Sequence, residues 1–472
     1  MILQIPADHV IVVFGAAGDL ARRKLLPALF HLAVQGWLPR RFRVIGSGRE
    51  ELADDEFRDH ARQAVDQFGR CPATGASWDA FAETLSYVPG EFGPDSASPL
   101  AEAVQRAERG LGGEPGRLFY LAVPPPAFGP ITEGIGAAGL GERARVAYEK
   151  PFGLDLDSAR ALNQVVHGEL AEKQVFRIDH FLGKETVQNI LALRFANGMF
   201  EPVWNRDHVD HVQIEVPETL GVGTRAGFYE QAGALRDMLV THLFQVLSFV
   251  AMEPPVALDA HRLVDEKTKV FAAAVPLSPR DVVRGQYDGY RREEGVAPDS
   301  TTETFVAARL SVDSWRWAGV PFFLRTGKRL AADRPTVTIA FREPPRRMFA
   351  GLPPGDMERN HLTLELGAPE GISATFLAKV PGPSIELGEA TMTFRYEGAF
   401  GSPLVEAYER LLHDVLIGDH TLFTRADGIE RAWEIVAPVL ADPPPIHMYA
   451  PGSWGPKAAR ELIAPHRWWL GC

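Results

Sequence analysis

The chain has 472 residues but only two cysteines, Cys71 and Cys472. Two thiols build neither a disulfide framework nor a cysteine zinc site, and they fit a reducing compartment. A basic excess is also lacking: the net charge is −12, which argues against nucleic acid or an anionic membrane as the main partner. No basic, apolar leader opens the sequence, so a secretory signal is not expected. The most apolar internal runs, such as LFQVLSFVAM, are about half the ~20 residues a bilayer span requires. No internal repeat and no low-complexity tract stands out. A cytoplasmic location and no membrane partner are the expectation. What remains is ordinary globular composition, 46% hydrophobic and 23% charged, enough for two domains or one elaborated fold.

The first third alternates strand-like and helix-like segments. HVIVVFG precedes a helical run LARRKLLPALFHLAVQGW, FRVIGSG precedes EELADDEFRDHARQAVDQFG, and RLFYLAVPPP and RARVAYEKPFG read as further strands. This alternation predicts a parallel sheet with crossover helices, placed at residues 1–175. From Asp207 the texture changes to period-two or β-rich runs such as DHVDHVQIEVPE, TVTIAFRE and ATMTFRY, with helices between them. Residues 176–472 are therefore expected to form a larger α+β domain with a mainly antiparallel sheet.

VIVVFGAAGDLARRK places a glycine turn between a strand and a helix. The turn and helix start comprise Gly15, Ala16, Ala17, Gly18, Asp19 and Leu20, where backbone N–H groups favour a pyrophosphate. The pattern is Gly-x-x-Gly, short of the full dinucleotide fingerprint. The second strand runs out at Arg49, where an NAD site usually carries an acid; a cation there suits the 2′-phosphate of NADP. A solvated surface arginine is the plain alternative, and Glu50 beside it keeps NAD open. Tyr120 and Lys150 stand at two further strand ends of the same edge, where ligands of open α/β sheets collect. Pro151 holds the backbone of Lys150 extended and so gives its ammonium a defined direction.

RIDHFLGKE, Arg177 to Glu185, is a strand end, a loop and a helix start. His180 and Lys184 flank that helix N-terminus and predict a phosphate-sized anion there. On ALRDMLVTHLFQV, His242 has Met238, Leu239 and Val246 as helical neighbours and by itself reads as a core histidine. Asp237 lies five residues earlier, ~140° around an ideal α-helix, so the two cannot share one narrow stripe. A metal held by Asp179, His180 and His242 is conceivable, but Lys150 and Lys184 oppose a dication, and no metal is expected.

Taken together, GAAGDLARRKLLPALF, EKPFGLDLDSARALN, RIDHFLGKETVQNILALRFAN, GALRDMLVTHLFQ, VPFFLRTGKRL, YERLLHDVLIGD and GSWGPKAA resemble the glucose-6-phosphate dehydrogenase family nearly end to end. The resemblance implies a Rossmann-like N-terminal domain and oxidation of the sugar C1 hydroxyl with NADP. By motif position His242 is the general base, Asp179 its carboxylate partner, and Lys150 touches both substrate and cofactor. His180, Lys184, Glu218, Asp237 and Lys328 fall at sugar or phosphate positions. A homodimer or homotetramer is implied as well. Four departures from the family pattern stand out, one of them a pair of residues. Phe181 replaces a tyrosine, and Asp333 replaces a cation for which Arg334 can substitute. Gly367 and Ala368 replace Gln-Pro, and Ala17 replaces a hydroxyl residue. These leave a paralogue with another sugar or with NAD as the enzymatic alternative. A non-catalytic scaffold is the other, against which the presence of Lys150, Asp179 and His242 together argues.

Overall fold

The structure is a computed structural model that describes residues 4–471 other than 97, 347, 350–359 and 401–403. The chain divides into two compact units. The first comprises Met1–Gly183, Pro255–Asp265 and Val405–Glu430; the second comprises Lys184–Pro254, Glu266–Leu404 and Arg431–Cys472.

Six strands form the sheet of the first unit: β1 (His9–Phe14), β2 (Phe42–Gly48), β3 (Leu85–Pro89), β4 (Gly116–Leu121), β5 (Ala144–Tyr148) and β6 (Val175–Arg177). Their order is β3-β2-β1-β4-β5-β6 and every pairing is parallel. This is the doubly wound nucleotide-binding arrangement, with the order reversing between β1 and β4. β1 is buried along its whole length, which is why HVIVVF reads as a continuous apolar run and not as an alternation. Helices Leu26–Val34, Asp54–Phe68, Ser98–Leu111, Phe128–Ala137 and Leu156–Glu169 intervene between successive strands. The last starts where Asp155 accepts from the Ser158 N–H at 2.8 Å. Helix Ala407–Ile417 returns from far down the sequence to this unit and ends at Gly418 in the left-handed region. Arg145 of β5 donates to its Val415 carbonyl at 3.1 Å, and Lys24 pairs with Glu406 at its start at 2.9 Å.

The second unit holds nine strands: β7 (Val209–Pro217), β8 (Val282–Tyr287), β9 (Phe305–Ser311), β10 (Pro321–Gly327), β11 (Thr336–Phe341), β12 (His361–Glu365), β13 (Gly371–Lys379), β14 (Leu387–Arg395) and β15 (Ile446–Tyr449). The order is β14-β13-β12-β11-β7-β10-β9-β8-β15, antiparallel throughout except for the parallel pairs β10–β7 and β15–β8. Alternate residues of β7 share a face, and two of them grip the C-terminal segment. The Gln213 amide donates to the Arg467 carbonyl at 2.8 Å and accepts from the Trp469 N–H at 2.7 Å, and Glu215 accepts from the Leu470 N–H at 3.2 Å.

The apolar run LFQVLSFVAM belongs to a longer helical stretch than its own length implies. Ala226–Ala251 is long and apolar enough to cross a membrane, but 89% of that window is buried inside the protein. Its segment Leu235–Leu243 packs on β9 and β10, so the hydrophobicity is that of a core element.

Candidate active site

At the reversal point of the parallel sheet, β1 ends in the turn Gly15–Gly18. The Gly15 and Ala16 N–H groups both donate to the Ser47 carbonyl of β2, at 2.7 and 3.2 Å, and the Gly18 N–H closes back on the Gly15 carbonyl at 2.9 Å. Gly15 has φ +73°, and a Cβ there would lie 2.4 Å from the Ala122 carbonyl oxygen, so no other residue fits. A helix follows at Asp19 and Leu20 and opens through a π-helical turn, Ala21–Leu25, in which the Leu26 N–H reaches the Ala21 carbonyl. A tight glycine turn feeding the first amides of a helix at a switch point fits a dinucleotide pyrophosphate. Arg49, exposed just past β2, is paired with Glu91 at 3.0 Å.

The edge beyond β4 and β5 is more enclosed. Tyr120, at 1% exposure, donates its hydroxyl to Glu149 Oε1 at 2.6 Å. Its side chain is therefore turned into the protein. Burial pushes the Glu149 carboxyl up to about 7, against the opposing pull of the Tyr120 hydrogen bond and the Lys150 charge. Lys150 is half-buried next to it, with a cis peptide to Pro151. Asp179 is buried and accepts from the Phe181 N–H at 2.9 Å, a local turn that fixes its carboxylate. His180 stacks on Tyr408 with ring centroids 6.3 Å apart and planes 9° apart. Phe181 is 5% exposed and packs edge-on against the His180 ring, so it serves as a core side chain.

In the second unit the register of two parallel strands explains a pair. Gly327 of β10 lies opposite Pro217 of β7, so the next residues, Lys328 and Glu218, leave adjacent strand ends together. The Glu218 N–H donates to the Gly327 carbonyl at 2.9 Å, and the Lys328 ammonium is ion-paired with the Glu218 carboxylate. Lys328 is 4% exposed, and its ammonium sits 5.7 Å from the centroid of the Tyr229 ring. Burial first, then the Asp237 and Glu218 carboxylates, push the Tyr229 hydroxyl well above its ordinary pKa. Lys184 stands at the N-cap of helix Glu185–Phe195. Arg334 is engaged elsewhere: its guanidinium meets the Glu365 carboxylate through two hydrogen bonds. Gly367 has no room for a side chain, because a Cβ would strike Pro335 at 2.9 Å.

His242 and Asp237 lie on Leu235–Leu243, which is π-helical, with the Phe244 N–H donating to the Leu239 carbonyl five residues back. This corrects the ideal-helix expectation. In an i→i+5 ladder, residues five apart come to nearly the same face, and the ~140° separation of the α-helical wheel does not apply. The segment starts after Gly233, whose φ is +63° and whose Cβ position lies 2.4 Å from Glu303 Oε1. That same oxygen accepts from the Leu235 N–H at 3.0 Å, while Arg284 holds the other carboxylate oxygen at 2.9 Å. Gly233, Glu303, Tyr229 and Glu149 escaped the sequence reading; only the left-handed glycine within a helical pattern offered a signal.

A glycine turn at the switch point of a doubly wound parallel sheet, followed by a second unit built on a mixed sheet, is the architecture of a two-domain, nicotinamide-dependent dehydrogenase. The comparisons with known proteins narrow this. Residues 12–189 match the model described as glucose-6-phosphate dehydrogenase, NAD binding domain, and residues 191–469 match the C-terminal domain of the same family. The chain is 44% identical to glucose-6-phosphate 1-dehydrogenase 2 of Mycobacterium bovis, covering 96% of this chain and 92% of that one. It is 42% identical to the glucose-6-phosphate 1-dehydrogenase of Aggregatibacter actinomycetemcomitans over 96% of this chain and 95% of that one. A solved glucose-6-phosphate dehydrogenase in complex with glucose 6-phosphate superposes with a TM-score of 0.90 at 34% identity, covering 99% of both chains. The chain belongs to the glucose-6-phosphate dehydrogenase family, and its cofactor is NADP.

Proposed function

We propose that this chain oxidises the C1 hydroxyl of glucose 6-phosphate to 6-phosphoglucono-δ-lactone. The C1 hydride passes to NADP, which supplies the acceptor, and the hydroxyl proton passes to His242 as C1 becomes a carbonyl. An imidazole can take that proton near neutrality because its ordinary pKa is ~6.5. Asp179 supplies the carboxylate that stabilises the resulting imidazolium, by the same logic as other histidine–carboxylate pairs. Lys150 serves substrate and cofactor, and His180, Lys184 and Lys328 serve the phosphate and sugar. Asp237 and Glu218 accept from sugar hydroxyls, and Arg334 is the further cation for the phosphate end once it leaves Glu365. The turn of Gly15, Ala16, Ala17, Gly18, Asp19 and Leu20 and the cation Arg49 hold the dinucleotide, and Tyr120 backs that edge.

The observation that carries this reading is the presence of the base, the acid and the pocket lysine together in a chain matched to the family along nearly its whole length. We place the protein in the cytoplasm as a homodimer or homotetramer associating through the larger sheet, whose β13–β14 end leaves Ile385 and Met392 exposed. The test is reduced-nicotinamide absorbance with NADP and a panel of sugar phosphates beside free glucose. Turnover confined to glucose 6-phosphate supports the assignment; turnover on a different sugar overturns the substrate. His242→Ala is expected to cut kcat by about 10²–10⁴-fold, the usual worth of a general base; retained turnover removes His242 from that role.

A further inference from the structure

The start of β7 carries a group of metal-ligating side chains to which the chemistry above assigns no part. Asp210 and His211 stand on the strand, and His466 leads into the C-terminal segment that the strand grips. Asp210 Oδ2 lies 2.9 Å from His211 Nδ1 and 3.5 Å from His466 Nδ1. The two imidazole centroids are 4.2 Å apart, and the Phe323 ring lies 5.9 and 5.8 Å from them. His211 is 5% exposed, while Asp210 and His466 are half-buried and reach solvent. Ligand atoms of a tetrahedral zinc lie about 3.3 Å apart, from bonds of ~2.0–2.1 Å. The three atoms here stand within 4.8 Å of one another, so a small closure brings them onto one ion. Two imidazoles and a carboxylate suit a borderline divalent metal, and the solvent side leaves a fourth position for water.

The far side of His211 ties this group to the end of the chain. The Gln213 amide nitrogen donates to His211 Nε2 at 3.0 Å and to the Arg467 carbonyl at 2.8 Å. Its oxygen accepts from the Trp469 N–H at 2.7 Å. The two contacts to the C-terminal segment fix which way the amide points, so His211 Nε2 presents its lone pair. The ring proton is then on Nδ1 and is donated to Asp210. A metal bound at Nδ1 moves that proton to Nε2, where two donors face each other. Gln213 has to turn its oxygen to the ring, and in turning it lets go of Arg467 and Trp469.

We propose that Asp210, His211 and His466 form a site for a zinc-class divalent cation, and that filling it loosens the hold of Gln213 on residues 467–469. The two are linked: the ion weakens the clamp, and by the same free energy the clamp weakens the ion.

The test is calorimetric titration of the full chain with zinc, for wild type, Asp210→Asn, His466→Ala and Gln213→Glu. Asp210→Asn and His466→Ala should each lose one zinc equivalent relative to wild type. Reading the difference discounts ions taken up at Cys71 or at Asp179, His180 and His242. Asp210→Asn keeps the side-chain volume, so it preserves the packing even if His466→Ala disturbs the Phe323 contact. Gln213→Glu supplies a carboxylate that accepts from the Nε2–H, and it should tighten zinc by ~10-fold. Hydrogen exchange read by mass spectrometry should quicken in the C-terminal peptide when zinc is added to wild type, and not in Asp210→Asn. Equal stoichiometry in wild type and both ligand variants overturns the site. Weaker zinc binding in Gln213→Glu, or C-terminal exchange unchanged by zinc, overturns the linkage and with it the proposal.

Discussion

Asp237 and His242 occupy nearly one face of the same helix because the ladder between them is widened to i→i+5. The Thr241 hydroxyl donates to the Asp237 carbonyl, giving that oxygen a second donor within the widened turn. Thr241→Val keeps the volume and removes the donor. The expected result is a fall in kcat of about tenfold with far-ultraviolet circular dichroism unchanged, as the turn relaxes and the imidazole swings away. An unaltered kcat would show that the wide turn holds itself without the hydroxyl.

Gly233 sets the start of that segment. Gly233→Ala must accommodate a methyl 2.4 Å from Glu303 Oε1 at a φ of +63°. Strain of this kind costs ~1–3 kcal/mol, so urea unfolding should shift by that amount and kcat should fall with it. Wild-type stability in the variant would mean that Glu303 moves aside freely.

Lys328 and Glu218 are expected to act as a unit. Lys328→Ala should raise KM for glucose 6-phosphate by roughly ten- to a hundredfold, because it removes a charge-assisted contact and leaves the Glu218 carboxylate facing the anion. Glu218→Ala added to it should recover part of the loss, a non-additivity readable from a double-mutant cycle. Strictly additive effects would separate the two residues.

Glu149 gives the protein a pH signature. Burial pushes its carboxyl up to about 7 in the folded chain, from an ordinary value of 4.5. Between those values the folded chain holds a proton that the unfolded chain has released, so stability falls as pH rises from about 4.5 to about 7. The contribution is ~2–4 kcal/mol from the size of the shift. Glu149→Gln, which is neutral throughout, should flatten the Tm–pH profile in that window. An unchanged profile would place the folded pKa near its ordinary value.

The parallel sheet was legible because a buried β1 leaves a continuous apolar run and its glycine turn leaves a spacing. Helix Glu185–Phe195 was legible for a similar reason, with Lys184 at its start. The relation of Asp237 to His242 was not, since a wheel drawn from the sequence assumes a uniform turn and nothing in LRDMLVTHL announces a wider one. Glu303 could not be found either: its service to the Leu235 N–H joins residues 68 apart in the chain. Arg334 looked available as a cation, and only the fold reveals Glu365 against it.

The first unit is not a contiguous piece of chain. Helix Ala407–Ile417 packs on helix Leu26–Val34 and on β5, with contacts to Arg145 and Lys24, and so covers part of a sheet whose last strand ends at Arg177. During synthesis, therefore, this helix reaches the dinucleotide half only after most of the polypeptide has left the ribosome. A gene fragment ending after β6 would express a nucleotide fold with one flank bare. A smaller version of this unit has to carry all three of its segments, Met1–Gly183, Pro255–Asp265 and Val405–Glu430, joined by tethers.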